Sequence, residues 1–288
     1  MYFLNINKPK GISSFDCIRK LRKLLHIKAI GHSGTLDPLA SGVLQIGVGD
    51  ACKLLDYLNS DKTYIADLKF GYTTETLDSE TEEKFVKNPD FSKVDLENVL
   101  KEFTGEISQI PPKYSAIKVE GKKLCNLMRK RVDNIPQIKP RKIMIYSIEL
   151  LDFNGIDKAK IKVKCSKGTY IRSLVDDIGK KLLCGAYMTD LVRIQAGNFK
   201  IENSQSLETQ KFREIDPQDV LDFDKYELNE IELDRISNGN FIKTPTKFNT
   251  STILLTNHNK LVSIAYLSDN INGISVIKPK KTFKGNIG

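Results

Sequence analysis

The sequence predicts an α+β fold: a mixed, largely antiparallel sheet with flanking helices and a basic arm, followed by a small all-β domain. Three observations carry this. Helical and strand-like periods are interspersed without the regular β-α-β alternation of a doubly wound sheet. Residues 111–142 form a strongly basic stretch interrupted by prolines. From about residue 228 the helical periods give way to short apolar runs separated by Asn-Gly and polar turns, the pattern of a small barrel-like β domain. At 288 residues the chain can hold one large domain, residues 1–227, and this small one, 228–288.

In chain order, Ser13-x-x-Asp16 has the form of a capping box. It predicts a helix to about Leu25, with Phe15, Ile18, Leu21, Leu24 and Leu25 as its apolar stripe. Val43 to Val48 reads as a buried strand, and Asp50 as the cap of a short helix carrying Leu54, Leu55 and Leu58. Tyr64, Ala66, Leu68 and Phe70 alternate with polar residues on one strand. Residues 73–90, acidic and rich in threonine, read as a mobile connection. Val94 to Phe103 is an amphipathic helix stopped by Gly105, and Gln109 to Ala116 opens an extended basic arm with a short helix. Strands follow at about 142–152 and 159–166, then a helix at 169–183 with the stripe Ile171, Leu174, Val175, Ile178 and Leu182.

Charge narrows the function. The net charge is +9, and it is unevenly placed. Residues 111–142 hold ten basic against two acidic side chains, and residues 1–31 seven against one. Concentration in two segments points to a polyanion-binding face. A membrane-surface helix would need a sustained amphipathic period, which the prolines forbid; nucleic acid is the favoured partner. No apolar run approaches the length of a membrane span, and the polar N-terminus resembles no signal peptide. Cys17, Cys52, Cys125, Cys165 and Cys184 are odd in number and never in a CxxC pair. They read as reduced thiols of a cytoplasmic protein, without a disulfide framework or zinc site. With His26, His32 and His258 as the only histidines, no metal cofactor is expected.

One segment concentrates chemistry: Gly31-His32-Ser33-Gly34-Thr35-Leu36-Asp37-Pro38-Leu39-Ala40-Ser41-Gly42. The proline pushes Asp37 out of helical backbone angles, and the glycines permit tight bending and close approach. A carboxylate on such a loop suits action on a ligand. It equally suits an Asx-turn or a helix cap, and the residues alone leave both readings open. No Gly-Lys-Ser/Thr follows, so this is not a P-loop. The Gly31–Gly34 tetrad fits the GXXG loop of a KH module, but Pro38 interrupts the helix that module requires.

Four further segments bear on that choice: Lys8-Pro9-x-Gly11-x-Ser13-Ser14, Asp61-Lys62-Thr63-Tyr64, Ile110-Pro111-Pro112-Lys113-Tyr114-Ser115-Ala116-Ile117-Lys118, and Lys167-Gly168-Thr169-Tyr170-Ile171-Arg172-Ser173-Leu174. With the Asp37 loop, in this order, they closely resemble the TruB family of tRNA pseudouridine synthases. The resemblance covers residues 2–200 and continues more faintly into a PUA-like domain at 228–288. It implies a sheet of the pseudouridine synthase type and a cofactor-free reaction on the T-loop uridine at position 55 of tRNA. There the N1–C1′ bond breaks, the base turns, and C5 joins C1′.

The resemblance also implies roles. Asp37 is the catalytic carboxylate acting on an everted uridine, and Arg172 the arginine that pairs with it. Tyr64 stacks on the base and stands ready to help remove the C5 proton. His32 fills the gap left by the base. Lys8, Thr35, Leu36 and Tyr170 are expected around the substrate. Lys113, Lys118 and Arg129 are expected on the arm (about 108–142) that grips the T-arm. The expected partner is the T-arm stem-loop, bound by a monomer without a guide RNA or an obligatory protein. Two alternatives stand beside this: a tRNA-binding or folding factor acting mainly without catalysis, and a guide-RNA-dependent synthase acting on ribosomal RNA. Cys125, Met128 and Val192 depart from the tyrosine, alanine and arginine usual in the family.

Overall fold

The computed structural model describes residues 1–115, 117–119, 122–123, 138–271, 273–283 and 285. The chain runs β1 (Tyr2–Lys8), α1 (Ser14–Leu25), β2 (Ile30–Ser33), β3 (Ser41–Val48), a 3-10 helix at Gly49–Tyr57 and β4 (Lys62–Phe70). The short strands β5 (Tyr72–Thr73) and β6 (Lys84–Phe85), helix α2 (Lys93–Glu102) and β7 (Gly105–Gln109) follow. After the two-residue strands β8 (Lys118–Val119) and β9 (Lys122–Lys123) come β10 (Arg141–Phe153), β11 (Lys158–Cys165) and α3 (Ile171–Lys181). Then come β12 (Ala186–Ala196), β13 (Phe199–Lys200) and β14 (Gln205–Ser206). The C-terminal part holds β15 (Asp224–Glu227), α4 (Glu230–Ser237), β16 (Ile242–Thr244), β17 (Thr252–Asn257), β18 (Lys260–Ile271) and β19 (Ile274–Thr282).

Ten strands form one sheet in the order β14-β1-β3-β12-β4-β11-β10-β7, with β2 on β3 and β13 on β12. Its neighbours are antiparallel except β1–β14 and β3–β12. This is the mixed, largely antiparallel sheet that the unpatterned order of elements predicts. Helices α2 and α3 pack on it through Leu96, Leu100, Ile171, Leu174, Val175 and Ile178, which join the sheet residues Tyr64, Ala66, Leu68 and Phe70 in one buried cluster. The C-terminal strands form a separate five-stranded sheet, β15-β17-β18-β19-β16. Its Leu254, Leu261, Ile264 and Phe283 share a second cluster with Phe3, Val43 and Phe199 of the large sheet. Among the described residues, no helix is long and apolar enough to cross a membrane.

Several expectations need correction. In α1 the buried face is Ser14, Cys17, Ile18 and Leu21. Phe15 and Leu24 are exposed, because a helix resting on one sheet face buries only the narrow stripe recurring every three to four residues. Asp50 does not cap its helix; the cap position is Val48, which makes no side-chain bond, and Asp50 pairs with Lys53 instead. The segment read as a mobile connection is tied down. β5 pairs with β6, and Thr74, Thr76 and Asp78 are buried. The C-terminal region carries α4 among its strands, and its sheet begins at Asp224. Residues 116, 120–121 and 124–137 of the arm, Arg129 among them, lie outside the described residues.

Candidate active site

Asp37 sits on the loop between β2 and β3, and the Lys8–Ser14 segment is the clamp that holds it. Ser14 Oγ accepts from Leu36 N at 2.9 Å and donates to Leu36 O at 3.1 Å. Gly11 N donates to Pro38 O at 2.8 Å. Lys8 is wholly buried, and its ammonium donates to the carbonyls of Pro9 (2.8 Å), Ile12 (2.7 Å) and Pro38 (3.3 Å). From the other side, Arg193 on β12 donates from Nε to Val43 O at 2.7 Å and from Nη2 to Gly34 O at 2.9 Å. Both residues flanking Asp37 are therefore fixed through their backbone, leaving its side chain free to face outward.

What it faces is Arg172, the second residue of α3. The guanidinium is buried, and its Nε lies 2.9 Å from Asp37 Oδ2. Its remaining nitrogens are committed: Nη1 donates to Thr76 O at 2.9 Å, and Nη2 to Tyr114 O at 3.0 Å. Nη1 is also 3.4 Å from Oδ2 of Asp78, a carboxylate only 1 % exposed. Asp78 is held in turn by the Thr76 hydroxyl and the Glu80 amide. Two backbone carbonyls and two carboxylates thus meet on one planar fork, which a lysine could not serve. The first turn of α3 is set by Gln109, whose side-chain amide pairs with both backbone groups of Tyr170.

Asp37 keeps 36 % of its side-chain surface open and borders a cleft of about 470 Å³. His32, Thr35, Leu36, Tyr64, Tyr170 and Arg172 also line this cleft. Burial pushes the Asp37 carboxyl above its ordinary value and the Asp78 charge adds to this, against the pull of Arg172 and Lys8. Burial likewise raises the Tyr64 phenol, while Arg193 opposes it. His32 is pushed down by burial and by the Arg193 charge, so its ring is neutral near pH 7. The result is an ion-paired carboxylate beside a phenol ring, a neutral imidazole and a second tyrosine. Such a wall receives a flat ring, and the carboxylate can attack or stabilise an electron-poor carbon at its edge.

Of the residues singled out from sequence, those six and Asp37 come together at one cleft. Lys8 lies behind the loop, its three donors spent on carbonyls, and does not border the cleft. Lys113 is exposed and also off the cleft. The side chain of Lys118 and the whole of Arg129 fall outside the described residues. Sequence reasoning missed Asp78, Ser14 and Gln109. Asp78 hides in a run of acidic and threonine residues that reads as solvated surface; its one signal is the apolar Leu77 beside it.

Comparison with known proteins identifies the family. Residues 22–171 match the family model described as TruB family pseudouridylate synthase, N-terminal domain. Residues 172–223 match the tRNA pseudouridylate synthase B C-terminal domain. A tRNA pseudouridine synthase B of Caldanaerobacter subterraneus subsp. tengcongensis is 40 % identical over 288 residues, covering 97 % of this chain and 98 % of that one. The enzyme of the same name from Fusobacterium nucleatum subsp. nucleatum is 44 % identical over 275 residues, covering 92 % and 95 %. Among solved structures, a chain of an H/ACA ribonucleoprotein bound to a substrate RNA superposes with a TM-score of 0.72 at 22 % identity, covering 98 % of this chain and 84 % of that one. A chain of an archaeal box H/ACA particle gives 0.70 at 21 %, covering 98 % and 85 %. These two show the shared fold.

Proposed function

Because the chain belongs to the TruB family of pseudouridylate synthases, we propose that it isomerises the T-loop uridine at position 55 of tRNA to pseudouridine. The uridine leaves its stack and enters the cleft, with the base against Tyr64 and C1′ toward Asp37. The N1–C1′ bond breaks with its electron pair on the base. The freed ring turns, C5 bonds to C1′, the C5 proton leaves, and N1 gains one, so the product is an isomer. Asp37 carries the reaction as the nucleophile or as the charge that steadies the sugar carbon. Arg172 holds its direction, Tyr64 stacks on the ring and stands near the departing C5 proton, and His32 occupies the space the base vacates. Residues 1–227 form the catalytic part and 228–288 a PUA-like RNA-binding part. The arm grips the T-arm phosphates, which helps offset the few kcal/mol needed to evert a base. The protein acts as a cytoplasmic monomer, without a guide RNA.

The observation that carries this reading is the 2.9 Å contact between Arg172 and a partly exposed Asp37 at the cleft. The test is mass-neutral conversion of one T-loop uridine in a bare stem-loop RNA, mapped by a pseudouridine-specific label. Wild type should convert it and Asp37→Asn should not, while binding RNA within a few-fold of wild type. Turnover by Asp37→Asn rejects the assignment.

A further inference from the structure

Among the described residues three cations at this cleft, Lys62, Arg193 and the exposed Lys167, have no carboxylate within ion-pair distance, and the first two lie side by side. Arg193 is 0 % exposed, and while its Nε and Nη2 hold backbone carbonyls, its buried Nη1 has no hydrogen-bond partner among the described residues. Lys62, at the start of β4, donates to Ser60 O at 2.6 Å and lines the same cleft. A methyl group placed on Gly34 would lie 3.3 Å from Arg193 Nη1 and 3.7 Å from Lys62 Nζ, so the two charged groups converge on one point of the loop. The groups facing Lys62 are Arg193, Lys167, Asp61 and Cys165; burial and the Arg193 charge bring its ammonium down to about 8. Among the described residues neither cation forms an ion pair. Asp61 instead accepts from the Tyr146 hydroxyl at 3.1 Å.

Two adjacent, desolvated cations without an ion-pair partner among the described residues are costly to the free protein. They suit a site that an anionic ligand completes. A neutral uracil carbonyl would satisfy one donor and leave the repulsion in place; a phosphodiester oxygen brings a full charge. Position agrees. Lys62 and Tyr64 are two residues apart on β4, so their side chains leave the same face about 6.6 Å apart, a span comparable to that between a nucleobase and its own phosphate.

We infer that Lys62 Nζ, with the buried Arg193 charge directly behind it, forms a phosphate site, which takes the backbone linkage adjoining the everted nucleotide. This rests on the RNA-modifying function proposed above. Affinity of a T-arm stem-loop RNA is measured against salt for wild type, Lys62→Gln and Lys62→Arg. Lys62→Gln should bind about ten-fold more weakly and flatten the slope of log affinity on log salt by about 0.7–0.9; Lys62→Arg should restore the slope. A single neutral methylphosphonate at one linkage beside the target uridine should weaken wild type similarly and leave Lys62→Gln no weaker. Wild-type affinity should fall from pH 7 to pH 9 as Lys62 loses its proton, and that of Lys62→Arg should not. Equal salt slopes, or additive losses at both flanking linkages, overturn the inference. So does a Lys62→Gln defect confined to turnover, which would place its action on the base. If wild type forms pseudouridine while the slopes coincide, the phosphate site alone falls; if it forms none, the underlying function falls with it.

Discussion

Arg172 stands 3.4 Å from Asp78, a carboxylate that is almost wholly buried on the segment between β5 and β6. The same guanidinium is in contact with Asp37, so one cation is shared between an open carboxylate and a sealed one. Asp78 therefore sets the orientation of the arginine from behind, and its charge helps lift the Asp37 carboxyl.

Replacing Asp78 by Asn keeps the shape and the acceptor for Thr76 and Glu80 but removes the charge. Arg172 loses its rear anchor, and the single-turnover rate should fall on the order of a hundred-fold, the scale of a small misplacement of a reacting group. With one like charge gone, Asp37 also becomes easier to ionise. The acid limb of the rate profile should therefore move to lower pH. A limb that stays in place, or moves up, rejects this coupling.

The Asp37 carboxyl itself makes a prediction about stability. Its folded-state pKa is raised above the ordinary 3.8, chiefly by burial. The folded protein therefore holds this proton more tightly than the unfolded chain does, and stability is lost as pH rises from 3.8 through the folded value. Asn does not titrate and avoids that loss. At pH 7 the Asp37→Asn variant should melt above wild type, and the gap should close on acidification toward pH 4. A variant less stable than wild type at pH 7 contradicts the shift.

Lys8 tests the clamp. Methionine there matches the length of the stem but leaves the carbonyls of Pro9 and Ile12 without this donor, while Pro38 O keeps only that of Gly11 N. Unsatisfied buried acceptors of this kind cost about 2–4 kcal/mol in all, which at this chain length lowers the melting temperature by roughly ten degrees. Turnover should fall with the loosened loop, while RNA affinity changes little because Lys8 does not border the cleft. A large affinity loss with unchanged stability would return Lys8 to the substrate-contacting role expected from sequence.

These cases show where the sequence was legible. The Asp37 loop, the β4 alternation that buries Tyr64 and the α3 stripe all announce themselves by local pattern, and the structure joins them at one cleft. Arg172 is legible only through the resemblance of its segment to the family motif, since by itself it suits a structural ion pair at a helix start. Asp78 is not visible, since its burial is created by a long-range contact with Arg172 and by Thr74 and Thr76 folding over it. The burial of Lys8 is hidden for the same reason. A lysine in a polar segment reads as exposed until β1 and the Asp37 loop close around it. Even the glycines were only half readable: their freedom to bend was evident, but not which backbone they would approach.

Gly42 supplies the sharpest test of that last point. Its φ is +104°, and it lies opposite Arg193 in the parallel pairing of β3 with β12. A Cβ at this position would lie 2.2 Å from the carbonyl oxygen of Arg193 and 2.9 Å from its N and C atoms. These are backbone atoms, so no rotamer change relieves the clash; the two strands must part where one carries the catalytic loop and the other carries Leu191 and Arg193. Gly42→Ala should destabilise the fold by about 4 kcal/mol, at the upper end for a single substitution. Gly49 is the control: its φ is also positive, at +64°, but nothing lies within 4 Å of a Cβ there. Gly49→Ala should therefore show backbone strain alone, about 1–2 kcal/mol. Chemical denaturation of both variants gives the difference, and equal losses would mean that the approach of β12 to Gly42 contributes nothing to the glycine requirement.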